Sequence, residues 1–401
     1  LRGLAALMVA LSHFVLAFQP ALLGGGPAVS HFAGSVAISH TAAIVLFNPE
    51  LGVAVFFVLS GYVLAASAAR SRASLARLVL RRWLRLALPV LGTSLLIWPL
   101  AEWHLFRSVE VAGLARSDWL AGNYAWLAFE SNDLARLVWQ SLVDLFARGA
   151  HFYNAALWTM PVEFRGSVGL FAMAAMLRWV PGAGSQRQRR RAWLALAMSV
   201  GTLGLVWKSA YFGFPCGVAL FAAERLLPPR RDRPGVGLVL LATGLVLGGT
   251  PYLVDLAFDG PYARLFLALA PFMDNPVLFL HRVAAVCLVA SAMIYPPLRA
   301  LLVTQMAQYL GRISFMLYLV HVPIICSLCA ALCLWLTPVI GYNHAVAVVF
   351  VAFINASIAT ATLCNLVIDE PILRILRKDG SIGARSGFET FRIFKKQPSA
   401  P

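Results

Sequence analysis

The chain has 401 residues, of which 60% are apolar and only 12% charged, with a mean hydropathy of +0.77. That balance excludes a soluble globular protein and predicts an all-α, polytopic integral membrane protein with the lipid bilayer as its partner. The net charge of +16 does not point to nucleic acid, because the arginines lie in short runs between apolar segments rather than on one face of a folded domain.

The first apolar segment, Leu1 to Phe18, is interrupted only by Arg2, Ser12 and His13. It has no convincing small-x-small cleavage site after it and is read as a span rather than a signal peptide. The chain begins without an initiator methionine, which leaves room for a missing N-terminal stretch. At about 1.5 Å per residue His13 stands roughly 16 Å beyond Arg2, near the middle of the hydrocarbon. An ionisable group at that depth is a functional candidate by default; the alternative is a neutral imidazole hydrogen-bonded to a neighbouring helix.

Ten crossings in one bundle are predicted, at residues 4–22, 51–69, 86–105, 157–179, 192–207, 209–225, 235–254, 277–297, 312–336 and 344–368. Lysine and arginine then sort themselves between the two sides. Inner loops receive Arg70, Arg72, Arg77, Arg81, Arg82 and Arg85, then Arg178, Arg187 and Arg189 to Arg191, then Arg225, Arg230, Arg231 and Arg233, then Arg299 and Arg312. The outer side keeps Arg107, Arg116, Arg136, Arg148, Lys208 and Arg264. An even number of spans with both termini cytoplasmic satisfies the positive-inside rule.

Two outer segments exceed simple connectors. Residues 21–50 carry Gly24-Gly25-Gly26-Pro27 and no lysine or arginine, which predicts an irregular loop. In the longer one, 107–154, Asn132-Asp133 can cap a helix in which Leu134, Leu137, Val138, Leu142, Leu145 and Phe146 recur at helical spacing. With Trp126 and Trp139 nearby, it is expected as an amphipathic helix on the membrane surface, either roofing a cavity or serving only as packing. The membrane-embedded domain is set at 1–374 and a basic, disordered cytoplasmic tail at 375–401. Cys216, Cys287, Cys326, Cys329, Cys333 and Cys364 all fall in apolar segments as small hydrophobes, and no metal site is expected.

Few polar residues remain inside the predicted spans: His13, Ser60, Glu163 and Arg165, His281 and Arg282, His321, and Asn355. His321 follows Arg312 much as His13 follows Arg2, so two histidines reach similar depth, each above an arginine. Glu163 enters from the outer side and needs a partner; Arg165 lies on another helix face, leaving Arg282 or a histidine. Pairing without chemistry is the plain alternative for Glu163.

Six motifs now stand in order. They are Arg2-Gly3-Leu4-Ala5-Ala6 with His13, Phe56-Phe57-Val58-Leu59-Ser60-Gly61-Tyr62, and Arg81-Arg82-Trp83-Leu84-Arg85-Leu86 before Pro89. The others are Leu157-Trp158-Thr159-Met160-Pro161-Val162-Glu163, Ile313-Ser314-Phe315-Met316-Leu317-Tyr318-Leu319-Val320-His321, and Asp369-Glu370-Pro371. In this order and spacing the chain resembles the membrane-bound acyltransferase 3 family, ten-span acyltransferases that modify sugars, glycans and other small acceptors. The phrasing from Leu157 to Phe164 is similar to the fungal branch. The resemblance implies acyl-CoA as co-substrate, with acetyl-CoA the default donor. It implies His13 as catalytic base, with Glu163 and His321 as further catalytic candidates. It also implies Arg82 and Arg85 as the pair that binds acyl-CoA, which Arg81 extends, and maps the tryptophan-to-glutamate motif to Trp158 and Glu163; Arg2 is assigned to phosphate or pantetheine binding near the inner mouth and Trp158 to substrate binding. Ser60 and Arg282 complete the candidate substrate-binding residues. Tyr62 stands where phenylalanine is common, and Arg165-Gly166-Ser167 departs from many bacterial members, which bears on acceptor identity.

The chemistry of the residues fits that expectation. Acyl transfer needs a base for an acceptor hydroxyl, and histidine titrates near neutrality. Guanidinium groups hold phosphates bidentately, although positive-inside flanking alone also accounts for an arginine cluster. His13 could act directly as base or first carry the acyl group. The rival reading is a proton-coupled transporter using the buried histidines and carboxylate, but the halves of the chain show no internal repeat with paired broken helices.

Overall fold

A computed structural model describes residues 1–128, 133–227, 232–252 and 260–378. Ten helices occupy the ten predicted segments: α1 (Arg2–Phe18), α2 (Pro49–Arg70), α3 (Leu75–Glu102), α4 (Thr159–Leu177), α5 (Gly184–Val206), α6 (Gly213–Leu226), α7 (Pro234–Gly248), α8 (Pro276–Ile294), α9 (Gln305–Ile340) and α10 (Tyr342–Leu376). Five of them, α2, α3, α8, α9 and α10, are long and apolar enough to cross a membrane, and α1 and α7 are shorter apolar helices. In hydrocarbon the backbone must satisfy its own hydrogen bonds, so apolar runs of this length fold as helices. The predicted tail lies outside the described residues from position 379 on.

Helix starts follow local chemistry. Asn48 accepts from Leu51 N with Pro49 in the first turn of α2, Ser74 caps α3, Asn275 caps α8 and Thr304 caps α9. The Ser74 cap corrects the third predicted segment. α3 begins at Leu75, not residue 86, so Arg81, Arg82 and Arg85 sit inside a helix and not in a loop. Hydropathy alone trims that charged first half away.

α1 packs between α2 and α9, the arrangement that fixes the depth of the polar residues. A Cβ built on Gly52 of α2 would meet the Val9 side chain at 2.7 Å and Ala5 O at 3.1 Å. Counting at about 1.5 Å per residue along both helices puts Arg2 level with Ser60, halfway along α2. His13 is then level with the outer end of α2, the end of Phe18 and Pro49. The arginines, not the histidines, occupy the mid-level of the bundle. α2 and α6 approach backbone to backbone, where a Cβ on Gly61 would collide with Phe214 O and one on Gly217 with Val58 O.

The long outer segment differs from expectation. Asp133 does cap a helix, accepting from Ala135 N and Arg136 N, while Asn132 lies outside the described residues. This helix, Leu134–Trp139, continues through a π turn at Gln140–Asp144 to Ala147. It is not a free surface helix, because Trp83 of α3 donates to Leu142 O at 3.0 Å and Arg165 of α4 donates to Ala147 O at 2.7 Å. Arg165 thereby meets the carbonyl end of the helix, where a cation is favoured. The roof over the outer end of α1 comes instead from Ser108–Ala115 and Asp118–Gly122. Ser117 Oγ donates to Leu16 O at 2.8 Å, and Arg107 N donates to Cys326 O at 2.9 Å.

Candidate active site

Two levels of polar groups lie in the heart of the bundle. The lower is a cavity of about 80 Å³, bordered by Arg2, Ser60, Arg82, Arg85, Glu163 and, at its outer end, Tyr318. Glu163 does not pair with Arg282 or a histidine. Arg82 Nη2 donates to Glu163 Oε2 at 2.6 Å and Ser60 Oγ donates to Glu163 Oε1 at 2.6 Å. Arg82 Nε reaches Ser167 Oγ at 2.9 Å, and that hydroxyl donates to Glu163 O at 2.5 Å. The sequence spacing had placed Glu163 toward the outer side. The descent of residues 134–158 into the bundle lowers the start of α4 to the level of Ser60.

Arg85 makes a bidentate pair with Asp369, at 2.5 and 3.1 Å, and its guanidinium lies 4.9 Å from the Phe315 ring centre. Asp369 closes a π turn of α10, Asn365–Asp369, and this wider turn aims the carboxylate inward. Arg2 lies 6.0 Å from the same Phe315 ring, on the other approach. The cavity therefore gathers three guanidinium groups against two carboxylates. Arg2 is exposed to the cavity and has no hydrogen-bonded carboxylate among the described residues. Such a surplus suits an anionic guest. Arg81, one residue off the Arg82 face, does not border this cavity.

The upper level holds the histidines. His13 Nδ1 lies 2.9 Å from His321 Nε2, and His321 Nδ1 lies 3.1 Å from Leu317 O. A carbonyl can only accept, so His321 carries its proton on Nδ1 and presents Nε2 as an acceptor. His13 must then donate from Nδ1. Its Nε2 is left with a free lone pair, the nitrogen a base would use. His321 is fully buried and His13 half-buried, with the Trp119 ring near-parallel to the imidazole at 5.4 Å and 25°.

Local sequence explains why this turn of α9 is available. Pro323 has no N–H for the Leu319 carbonyl four residues back. Asn154 replaces it, donating from Nδ2 to Leu319 O at 2.6 Å while its Oδ1 caps Ala156 N. This ties the segment before α4 to the turn that carries His321. Between the two levels stands Tyr318, whose hydroxyl donates to Ala156 O at 2.9 Å and lies 2.9 Å from Thr159 Oγ1. Neither His13 nor His321 borders the lower cavity.

The remaining candidates form a separate group. Trp158 and Arg282 border a second, much smaller pocket, with Glu50 at its edge, behind the Val53 and Phe57 ridge of α2. Arg282 donates to Trp207 O at 2.8 Å. His281 is taken up in a buried cluster at the α2 start, 2.9 Å from Asn48 Nδ2 and 2.9 Å from Thr250 O. Trp119, Thr159, Phe315, Tyr318 and Asp369 complete the site. All but Trp119 stood inside the quoted motifs, and none of them lay among the charged residues inside the predicted spans, Asp369 falling one residue past the tenth.

The polytopic helical bundle thus encloses a cationic cavity beneath a hydrogen-bonded histidine pair. Comparison with known proteins identifies its chemistry. The acyltransferase 3 family model, described as an acyltransferase domain, matches residues 1–364. The chain is 27% identical over 372 residues to the O-acetyltransferase PaAT-1 of Phomopsis amygdali, covering 83% of this chain and 72% of that protein. It is 25% identical over 354 residues to the acyltransferase R4 of a Phoma species, covering 74% of this chain and 72% of that protein. No solved structure matches. The chain belongs to the acyltransferase 3 family and is a membrane-embedded acyltransferase.

Proposed function

We propose that this enzyme moves an acyl group, acetyl by default, from cytoplasmic acyl-CoA to the hydroxyl of a sugar, glycan or small lipophilic acceptor arriving from the outer side. The observation that carries this reading is the histidine pair, in which a backbone carbonyl and His321 fix the tautomer of His13 and leave Nε2 as the base. Arg2, Arg82 and Arg85 hold the phosphates and polar arm of the donor below, with Arg2 the cation freest to meet an anion. Both termini then face the cytoplasm, in keeping with the positive-inside distribution. The name of the Phomopsis relative supports O-acetyl transfer.

In the reaction, His13 Nε2 takes the acceptor hydroxyl proton as the oxygen attacks the thioester carbonyl. The new C–O bond forms and the C–S bond breaks. The imidazolium, steadied by its Nδ1–H bond to His321, returns the proton to the departing thiolate, giving free coenzyme A. Trp158 and Arg282 border the second cavity and are proposed to guide the acceptor.

The test is purified enzyme with acetyl-CoA and a panel of hydroxylated acceptors, reading free thiol and the intact mass of each acceptor. Acceptor-dependent thiol release with a matching acetyl mass gain is expected, and its disappearance in His13→Ala. Full turnover in His13→Ala would remove His13 from the chemistry.

A further inference from the structure

For transfer at His13 the acyl group must pass from the arginine-lined cavity to the imidazole, yet the cavity ends one helical turn short. Tyr318 is the group in between. It borders the cavity, is 4% exposed, and its ring centre lies 5.8 Å from that of His321 on the opposite side. Phe56 packs edge-on against it at 5.9 Å, and with Met160 makes the cavity wall apolar at this end. The charged groups thus lie low in the cavity and an apolar end lies against Tyr318. Its ring is held by its hydroxyl alone on the polar side, through Thr159 Oγ1 at the start of α4 and Ala156 O in the turn before it. Two neutral hydrogen bonds make a latch weak enough to open on the time scale of turnover, and an aromatic side chain with two torsions can swing without moving its helix.

We propose that Tyr318 is an acyl-selecting gate between the donor cavity and the histidine pair, latched by Thr159 and Ala156. This deepens the acyl-CoA reading and rests on it. A passage opened by turning one ring beside Phe56 admits an acetyl group more readily than a long chain. The gate therefore sets acyl-length preference, and while shut it keeps bound thioester from being hydrolysed.

The experiment uses the full chain in lipid nanodiscs with acetyl-, butanoyl- and octanoyl-CoA as probes and water as acceptor. In that reaction the thioester C–S bond breaks, a C–O bond to water forms, and the water proton passes through His13 to the thiolate, yielding carboxylic acid and free thiol. Tyr318→Ala is expected to release thiol at least tenfold faster than wild type, with the gain larger for octanoyl- than for acetyl-CoA. Thr159→Val, which keeps the ring and removes one latch bond, should raise acetyl-CoA hydrolysis severalfold while preserving the acetyl preference, and it reads the proposal even if Tyr318→Ala does not fold. The double variant His13→Ala/Tyr318→Ala should lose the gain. Unchanged hydrolysis and unchanged chain preference in both single variants, with acetyl-CoA still raising the melting temperature, would overturn the gate and leave the donor reading standing. A gain that survives loss of His13 would show that the opening does not lead to the histidines. If no form, wild type included, is stabilised by acetyl-CoA, the donor reading falls and takes the gate with it.

Discussion

The lower cavity and the upper histidine pair solve opposite problems with neighbouring residues. Below, guanidinium groups are already matched to carboxylates, Arg82 to Glu163 and Arg85 to Asp369, so the cavity is rigid and charged before any donor arrives. Above, two imidazoles share one hydrogen bond and lean on a backbone carbonyl, without a carboxylate beside them among the described residues. A carboxylate there would favour the charged imidazolium and spoil the base. The two levels thus keep the charged pairs and the imidazole pair apart.

The contrast can be broken most sharply at His13. Substitution by alanine should lower acceptor-dependent transfer by about 10²- to 10⁴-fold while the acetyl-CoA thermal shift persists. If both vanish together, the two levels are one site. Next in size is the ion pair below. Glu163→Ala strands a guanidinium that is 16% exposed and should cost roughly 3–5 kcal/mol of stability. Glu163→Ala with Arg82→Met should recover much of that loss, measured by chemical or thermal unfolding in detergent.

A smaller effect tests the tautomer. His321→Leu should slow transfer about tenfold or more by freeing the His13 ring, whereas His321→Gln, whose amide oxygen can accept from Nδ1–H, should retain more of the rate. Equal losses would make His321 a packing residue. Arg2→Gln should weaken acetyl-CoA binding by about tenfold, the size of one charge-assisted hydrogen bond, with little change in unfolding midpoint because Arg2 has no carboxylate to strand.

The smallest expected effect lies outside the spans. His31 stacks on Tyr342 at 4.0 Å and lies 2.9 Å from Ala115 O, joining the outer loop to the roof. Burial, opposed in part by the bond to Ala115, lowers its pKa from the usual 6.5, with Arg116 adding to the drop. The folded state thus favours the neutral ring. Its contribution is present above about pH 6.5 and is lost as pH falls. A melting-temperature profile from pH 7.5 to 5 should decline on the acid side, slightly less so in His31→Gln.

Much of this was readable from residue chemistry. Each of the ten apolar segments holds a helix, and charge inside those segments drew attention to His13, Glu163 and His321 together with Arg165, His281 and Arg282, whereas Arg2 entered through the family resemblance. What periodicity could not give was the partner of Glu163, because the descent of residues 134–158 is encoded in tertiary bonds such as Trp83 to Leu142 O, not in spacing. The start of α3 was missed because hydropathy discards an arginine-rich half-helix, although Ser74 is a plain cap. Asp369 reaches Arg85 through a π turn, and an extra residue in a helical turn leaves no mark on a hydrophobic pattern.

The close crossing of α2 and α6 has a mechanical consequence. With Gly61 and Gly217 set into each other's backbone, there is no cushion of side chains along which these helices could slide, and Ser60, which anchors Glu163, is part of that fixed frame. α9 is the compliant member, since its ladder is interrupted at Pro323 and repaired only by a side chain from another segment. Any stroke that accompanies turnover should therefore be taken up by the histidine-bearing helix, with the carboxylate-bearing half serving as the anvil.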